Sequence, residues 1–96
     1  MDNSASQPAF EWKDFSRFVE VSRVQQGWLV IWGRYHDLGS RREHLGNRTY
    51  ADLRGARRRV AEAALELTRD PALASDAVLL FDRSPRLWGG GASGVL

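Results

Sequence analysis

The two histidines are the residues of this chain best suited to acid–base or metal chemistry. His36 lies beside Asp37, and a carboxylate next to an imidazole can orient it as a general base. Glu43 and His44 are adjacent, so on a strand their side chains point to opposite faces and do not share a ligand. Such a pair in a polar turn is more often simply solvated, and we favour that interpretation. We therefore predict no metal site and no catalytic histidine.

Other catalytic patterns are missing from the sequence. The chain has no cysteine, which excludes disulfides, thiol nucleophiles and thiolate metal sites. No serine lies in the nucleophile elbow of a hydrolase. The glycine run at 89–91 lacks the Lys-Ser/Thr pair of a phosphate-binding P-loop. We predict a protein that is not an enzyme and that carries no cofactor.

Arginine dominates the basic residues, since Lys13 is the single lysine among fourteen Lys and Arg residues. Charge is also uneven along the chain. Residues 34–59 hold eight arginines and three acidic residues, whereas residues 60–82 hold one arginine and five acidic residues. A guanidinium makes two-point contacts with phosphate, which favours a nucleic-acid site. The candidate residues are Arg41, Arg42, Arg48, Arg54, Arg57 and Arg58.

Two simpler explanations of the arginines stay open. A GC-rich genome produces the same excess of arginine over lysine. Arg58 and Glu62 are four residues apart, the spacing of ion pairs along one side of a helix. A solvated helix face therefore accounts for part of the cluster.

Strands are predicted on both sides of a short turn. Residues 18–24 and 28–35 are rich in β-branched and aromatic side chains. The turn between them ends in Gly27, which tolerates a positive φ and so suits a hairpin. After a turn at 37–40, a weaker strand is predicted at 42–48. The apolar run at 77–81 is predicted as a final buried strand.

A helix at 49–70 is the clearest element. Thr49 is the predicted N-cap, with Asp52 in the first turn. Leu53, Val60 and Leu67 recur at helical spacing along one side. Pro71 ends the helix, because the residue before a proline disfavours the α conformation.

The order strand, strand, strand, helix, strand predicts an α+β two-layer sandwich. An antiparallel sheet of three or four strands is packed by one main helix. We expect one domain at 10–88 between a flexible segment at 1–9 and a flexible glycine-rich tail at 89–96. The longest apolar stretch is five residues, and the N-terminus lacks the features of a signal peptide. A cytoplasmic protein without a membrane span is expected.

One helix cannot cover both apolar faces of the predicted second strand. Side chains alternate along a strand, so Leu29 and Ile31 point to one face and its neighbours to the other. With the helix on the Leu29 face, the opposite face needs another cover. That face carries Trp28, Val30 and Trp32.

The cover comes either from the ends of the chain, at 10–15 or 87–88, or from another molecule. If a second copy covers this face, the protein is a non-catalytic binding or assembly module, which is our main hypothesis. It forms a homodimer, or binds an unknown protein partner, through Trp28, Val30 and Trp32. The alternative is nucleic-acid binding through the arginines of 41–59.

Three elements of the sequence together resemble a known arrangement. They are the hairpin at 18–35, the alanine-rich helix that Thr49 introduces and the apolar segment at 78–81. This arrangement resembles small uncharacterised bacterial β-β-β-α-β proteins. It is also distantly similar to HicB-type antitoxins, which have an aromatic residue near the hairpin turn, here Trp28. The resemblance covers residues 18–81 and implies the same fold. No functional residue is carried over from it.

Overall fold

The computed structural model describes residues 8–88 and shows a four-stranded antiparallel sheet followed by helices. The strands are β1 (Phe10–Lys13), β2 (Arg17–Val24), β3 (Gly27–His36) and β4 (Arg41–Tyr50). The helices are α1 (Leu53–Thr68), α2 (Pro71–Asp82) and α3 (Pro85–Trp88). The sheet order is β1-β2-β3-β4. The predicted α+β class, with an antiparallel sheet of three or four strands, is confirmed, and the number of strands is four.

The first strand was not predicted, and it begins the sheet near the start of the described residues. Phe10 pairs with Val21 and Trp12 with Val19. Ala9, within the segment expected to be flexible, donates its N–H to the Val21 carbonyl at 2.8 Å. Of the flexible segments expected at 1–9 and 89–96, residues 1–7 and 89–96 lie outside the described residues.

Hairpin turns join β2 to β3 and β3 to β4 at the predicted places, and a further turn that was not predicted joins β1 to β2. Gly27 has φ +139°, and a Cβ there would overlap the Tyr50 carbonyl oxygen, so the β2–β3 turn requires glycine. Asp37, Leu38 and Gly39 all have positive φ in the β3–β4 turn. In the β1–β2 turn, the Asp14 carboxylate accepts the backbone N–H of Arg17 at 2.7 Å.

The predicted N-cap of α1 is wrong by three residues. Thr49 lies in β4, where it pairs with Leu29, because the strand continues to Tyr50. The N-cap is Asp52, whose Oδ1 accepts the Gly55 N–H at 2.9 Å. The helix ends where Arg69 adopts φ +57° and donates its N–H to the Leu65 carbonyl.

The predicted strand at 77–81 is also wrong, because this segment is the second half of α2. Asp70 caps the helix by accepting the N–H of Ala72, and Pro71 occupies its first turn. Ala74, Ala77 and Phe81 are buried at helical spacing. A five-residue apolar run is compatible with either a buried strand or a buried helix. The N-cap residue Asp70 followed by Pro71 is a helix start and favours the helix.

The helices α1 and α2 pack on one face of the sheet, which we call the helix-bearing face. By register, Val19 pairs with Trp32 and Val21 with Val30, so these residues share that face. Trp28 is 8% exposed and Val30 is fully buried. The helix therefore covers the opposite face of β3 from the one predicted. Tryptophan buries more apolar area than leucine, which explains the choice of face.

The other face of the sheet, which we call the open face, is partly covered by its own side chains. Phe18 is fully buried there. The Arg42 guanidinium stacks 4.1 Å from the Phe18 ring centre, and the Tyr35 ring lies 5.2 Å away. Arg42 also donates to the Glu20 carboxylate at 2.7 Å. The cation–π contact and the ion pair of Arg42 thus shield the Phe18 ring from solvent, as a second layer would.

Within residues 8–88, no helix is long and apolar enough to cross a membrane.

Candidate functional site

The structure separates the two histidines. His36 Nε2 lies 2.7 Å from Glu43 Oε1, while Asp37 binds Arg41 instead. His44 packs beside Phe18 on the open face, and His36 lies on the other face of the sheet. Among the described residues, no group of three or more His, Cys, Asp or Glu side chains is placed to hold a metal ion.

The predicted interface residues Trp28, Val30 and Trp32 lie beneath α1. Trp28 and Val30 belong to the core. Trp32 is half-buried, and the Arg59 guanidinium stacks 4.3 Å from its ring centre. The Cβ of any larger residue at Gly46 would overlap the Trp32 ring. The expectation of a docking surface at these three residues is therefore corrected, because the chain's own helix covers them.

The predicted arginines do not form one surface. Arg41 begins β4 and forms an ion pair with Asp37. Arg48 lies seven residues along the same strand, about 23 Å away at the usual rise of a strand. Arg42 points to the open face and binds Glu20. Arg41 and Arg42 are thus separated from the rest of the predicted cluster.

The remaining predicted arginines lie around the first half of α1. Arg57 faces α2 and makes two hydrogen bonds to Asp82, at 2.7 and 2.9 Å. Arg48, Arg54 and Arg58 form no ion pair with any residue in 8–88. The three have guanidinium groups available to another molecule.

The Arg57–Asp82 ion pair ties the first turns of α1 to the end of α2. The hydrogen bonds from Arg57 hold the pKa of Asp82 below its ordinary value of 3.8. Burial acts in the opposite direction, and the charge of Arg57 adds to the lowering. The ion pair therefore favours the folded state whenever Asp82 is ionised.

The contribution of this ion pair is expected to depend on pH. Because the pKa of Asp82 is lowered on folding, the stabilisation is complete above its unfolded value of 3.8 and is lost as pH falls through the folded value. Asp82→Asn should therefore lower the urea midpoint at neutral pH and change it little well below pH 3.8. Asp76→Asn, measured in dilute protein, is the control, because Asp76 has no ion pair among the described residues of its own chain. Equal effects of Asp82→Asn at both pH values would contradict this assignment.

An apolar groove runs along the surface between α1 and α2, and the sequence did not predict it. We call it the α1–α2 groove. Its volume is about 480 Å³, and Arg57 and Asp82 form its rim at one end. Leu65 of α1 is 44% exposed and Leu79 of α2 is 50% exposed. The apolar lining residues are Ala61, Leu65, Pro71, Ala74, Val78 and Leu79.

No family model, curated protein or solved structure shows a significant match to this chain. The distant similarity to HicB-type antitoxins stays a prediction, since none of these comparisons bears on it. The groove and the arginines are therefore interpreted from their geometry alone.

Proposed function

We propose that this protein is a non-catalytic assembly module that forms a homodimer through the α1–α2 groove. The observation that carries the proposal is the exposure of Leu65 and Leu79 on facing walls of one apolar groove. Adjacent exposed apolar side chains of this kind mark sites of association. The chain has no cysteine, so its assembly suits a reducing compartment such as the cytoplasm.

The edges of the sheet are less suited to self-association. β1 has only four residues. β4 is long, but it carries the charged residues Arg41, Arg42 and Arg48. It is also interrupted by a β-bulge at Leu45, opposite the step from Trp32 to Gly33. Short strands, charges and bulges are the features that keep sheet edges from pairing. This favours the helical layer as the contact.

A second copy is the occupant that the charges beside the groove favour. Arg58 lies about one turn before Ala61 on α1, and Asp76 lies about one turn before Leu79 on α2. Arg58 projects from α1 and Asp76 from α2; both are exposed, and neither has an ion pair among the described residues. In a two-fold contact, any surface that one copy presents meets the same surface of the other. If the α1 wall of one copy faces the α2 wall of its partner, Arg58 and Asp76 form two equivalent ion pairs.

The oligomeric state tests this proposal. We expect light scattering to give twice the 10.8 kDa chain mass at high micromolar concentration. The double variant Leu65→Ser/Leu79→Ser should be a folded monomer, because serine removes the apolar contact. Leu38→Ser is the matched control and should stay dimeric, since Leu38 is fully exposed in the distant β3–β4 turn. A monomeric unmodified chain, or a dimeric double variant, would overturn the proposal.

The pairing of Arg58 with Asp76 is tested by exchanging their charges. Arg58→Asp and Asp76→Arg should each weaken the dimer, because each places like charges across the contact. The variant with both changes should recover the affinity. Recovery would distinguish a specific two-fold pairing from a general effect of net charge, and its failure would contradict that pairing.

A further inference from the structure

The fold gathers arginines from separate segments at one end of the molecule, which we call the arginine end. It is the end at which β2 stops, β3 begins and α1 begins. Trp28 fixes this placement, because it pairs with Tyr50 on β4 and with Arg23 on β2. The residues of the arginine end are Arg23, Arg48, Arg54, Arg57, Arg58, Arg83 and Arg86.

Contacts confirm that the helices bring their arginines to the same end. Arg23 stacks 4.8 Å from the centre of the Trp28 ring, on the helix-bearing face. The ion pair between Arg57 and Asp82 holds the end of α2, and with it Arg83, beside the start of α1. Segments that are as much as sixty residues apart in sequence thus contribute to one surface.

The arginine end is strongly positive. Within residues 8–88, its seven arginines face only two acidic residues, Asp52 and Asp82, which gives these residues a formal charge of +5. Asp82 is already bound to Arg57. Five of the arginines form no ion pair with a described residue, namely Arg23, Arg48, Arg54, Arg58 and Arg83. Concentrated charge without internal partners attracts anions to this surface.

The opposite end of the molecule does not share this charge. There Arg17 pairs with Asp14 and Arg41 with Asp37. Arg34 and Arg69 also lie at that end, with Asp70 next to Arg69. The whole chain has a formal charge of only +2, so the positive charge is a property of one end.

We infer that the arginine end binds the phosphate backbone of a nucleic acid. Guanidinium groups bind phosphate oxygens with two parallel hydrogen bonds, and several of them together release the counterions of a polyanion. The most exposed apolar side chains, Phe15 and Leu38, lie at the other end, which disfavours a membrane as the ligand. Because these contacts reach only the phosphate backbone of the nucleic acid, we expect binding that depends little on base sequence.

This site is independent of the homodimer. Arg23, Arg48, Arg54 and Arg83 do not line the α1–α2 groove. Arg57, at the rim of the groove, and Arg58 belong to both proposals, and the variants used to test nucleic-acid binding leave both residues unchanged. Loss of nucleic-acid binding with an unchanged dimer mass, or the reverse, therefore separates the two proposals.

The test is the anisotropy of a labelled 20-base-pair duplex DNA of mixed sequence, titrated with the full chain. With four phosphate contacts, the affinity should fall roughly 150-fold between about 50 and 200 mM salt. Arg54→Gln/Arg83→Gln should bind at least roughly tenfold more weakly at the lower salt and have a shallower salt dependence, because two contacts are lost.

The matched control is Arg34→Gln/Arg69→Gln, which removes the same charge from the opposite end. Its affinity should stay close to that of the unmodified chain. Equal weakening by both double variants would overturn the proposal, since it would show an effect of net charge alone. No binding of the duplex at low salt, or tighter binding to phosphatidylserine vesicles or polyglutamate, would also overturn it.

Circular dichroism and light scattering accompany each variant, so that an unfolded variant is recognised. If Arg54→Gln/Arg83→Gln does not fold, Arg48→Gln/Arg54→Gln replaces it with the same expected result. Both pairs contain exposed arginines without an ion pair among the described residues.

Discussion

Replacing Trp28 with alanine is expected to lower the free energy of unfolding by about 3–5 kcal/mol. Trp28 is 8% exposed and belongs to the core between the sheet and α1. Its removal leaves a cavity that the backbone of β3 cannot close, because Tyr50 and Arg23 pair with it on the two neighbouring strands. In a domain at the lower end of the usual range of about 5–15 kcal/mol, a loss of this size removes most of the stability.

Urea unfolding followed by circular dichroism measures this loss. Leu38→Ala is the control, because Leu38 is fully exposed and its change should cost little. A stable, folded Trp28→Ala variant with a changed oligomeric state would contradict the position of Trp28 in the core. It would instead support the interface that the sequence predicted.

Replacing Phe81 with alanine is expected to cost about 3–5 kcal/mol as well. Phe81 is fully buried, and its ring packs edge-on against Phe10 of β1 and Trp88 of α3, with centroids 5.4 and 6.0 Å apart. The Trp88 Nε1–H group also donates to the Phe81 carbonyl oxygen at 3.1 Å. Phe81 thus joins α2 to the first strand and to the last helix.

Leu79→Ala is the decisive control for the Phe81 experiment. On a strand, residues 79 and 81 point to the same face, so both changes would be costly. On α2 they lie about 200° apart, and Leu79 is 50% exposed. At a protein concentration low enough for the chain to be monomeric, Leu79→Ala should therefore cost under about 1 kcal/mol. Similar losses for the two variants would contradict the helix.

The sequence predicted the elements that have a clear local pattern of residue types. In α1, Val60 and Leu67 recur at helical spacing with polar residues between them. The residues that this spacing places on one side of the helix are the ones that the structure buries. The hairpin of β2 and β3 was clear because Gly27 sits between two runs of β-branched and aromatic residues. Such segments are specified by local pattern.

The prediction failed where a segment is apolar on all sides. Both faces of β3 carry large apolar residues, so alternation could not decide which face the helix covers. In α2 the run at 77–81 has no polar residue to reveal its period, and Leu79 and Leu80 remain about half exposed. The α1–α2 groove was missed as a direct result, because it requires a second helix.

The arginine cluster shows the same limit of local reasoning. Proximity in sequence placed Arg41 and Arg42 beside Arg48, but an extended strand carries them to the other end of the sheet. Arg23 and Arg83, distant in sequence, join Arg54 only because the chain reverses direction several times. Charge along the sequence and charge on the surface are therefore different quantities.

The agreement between strand order and chain order affects how the molecule folds. Each strand pairs with the strand just before it, so the sheet grows by closing loops of two to four residues. Closing such short loops costs little entropy, and proteins rich in local contacts fold rapidly. The sheet can assemble progressively from its N-terminal strand during synthesis. Its apolar face then remains open until α1 emerges and covers it.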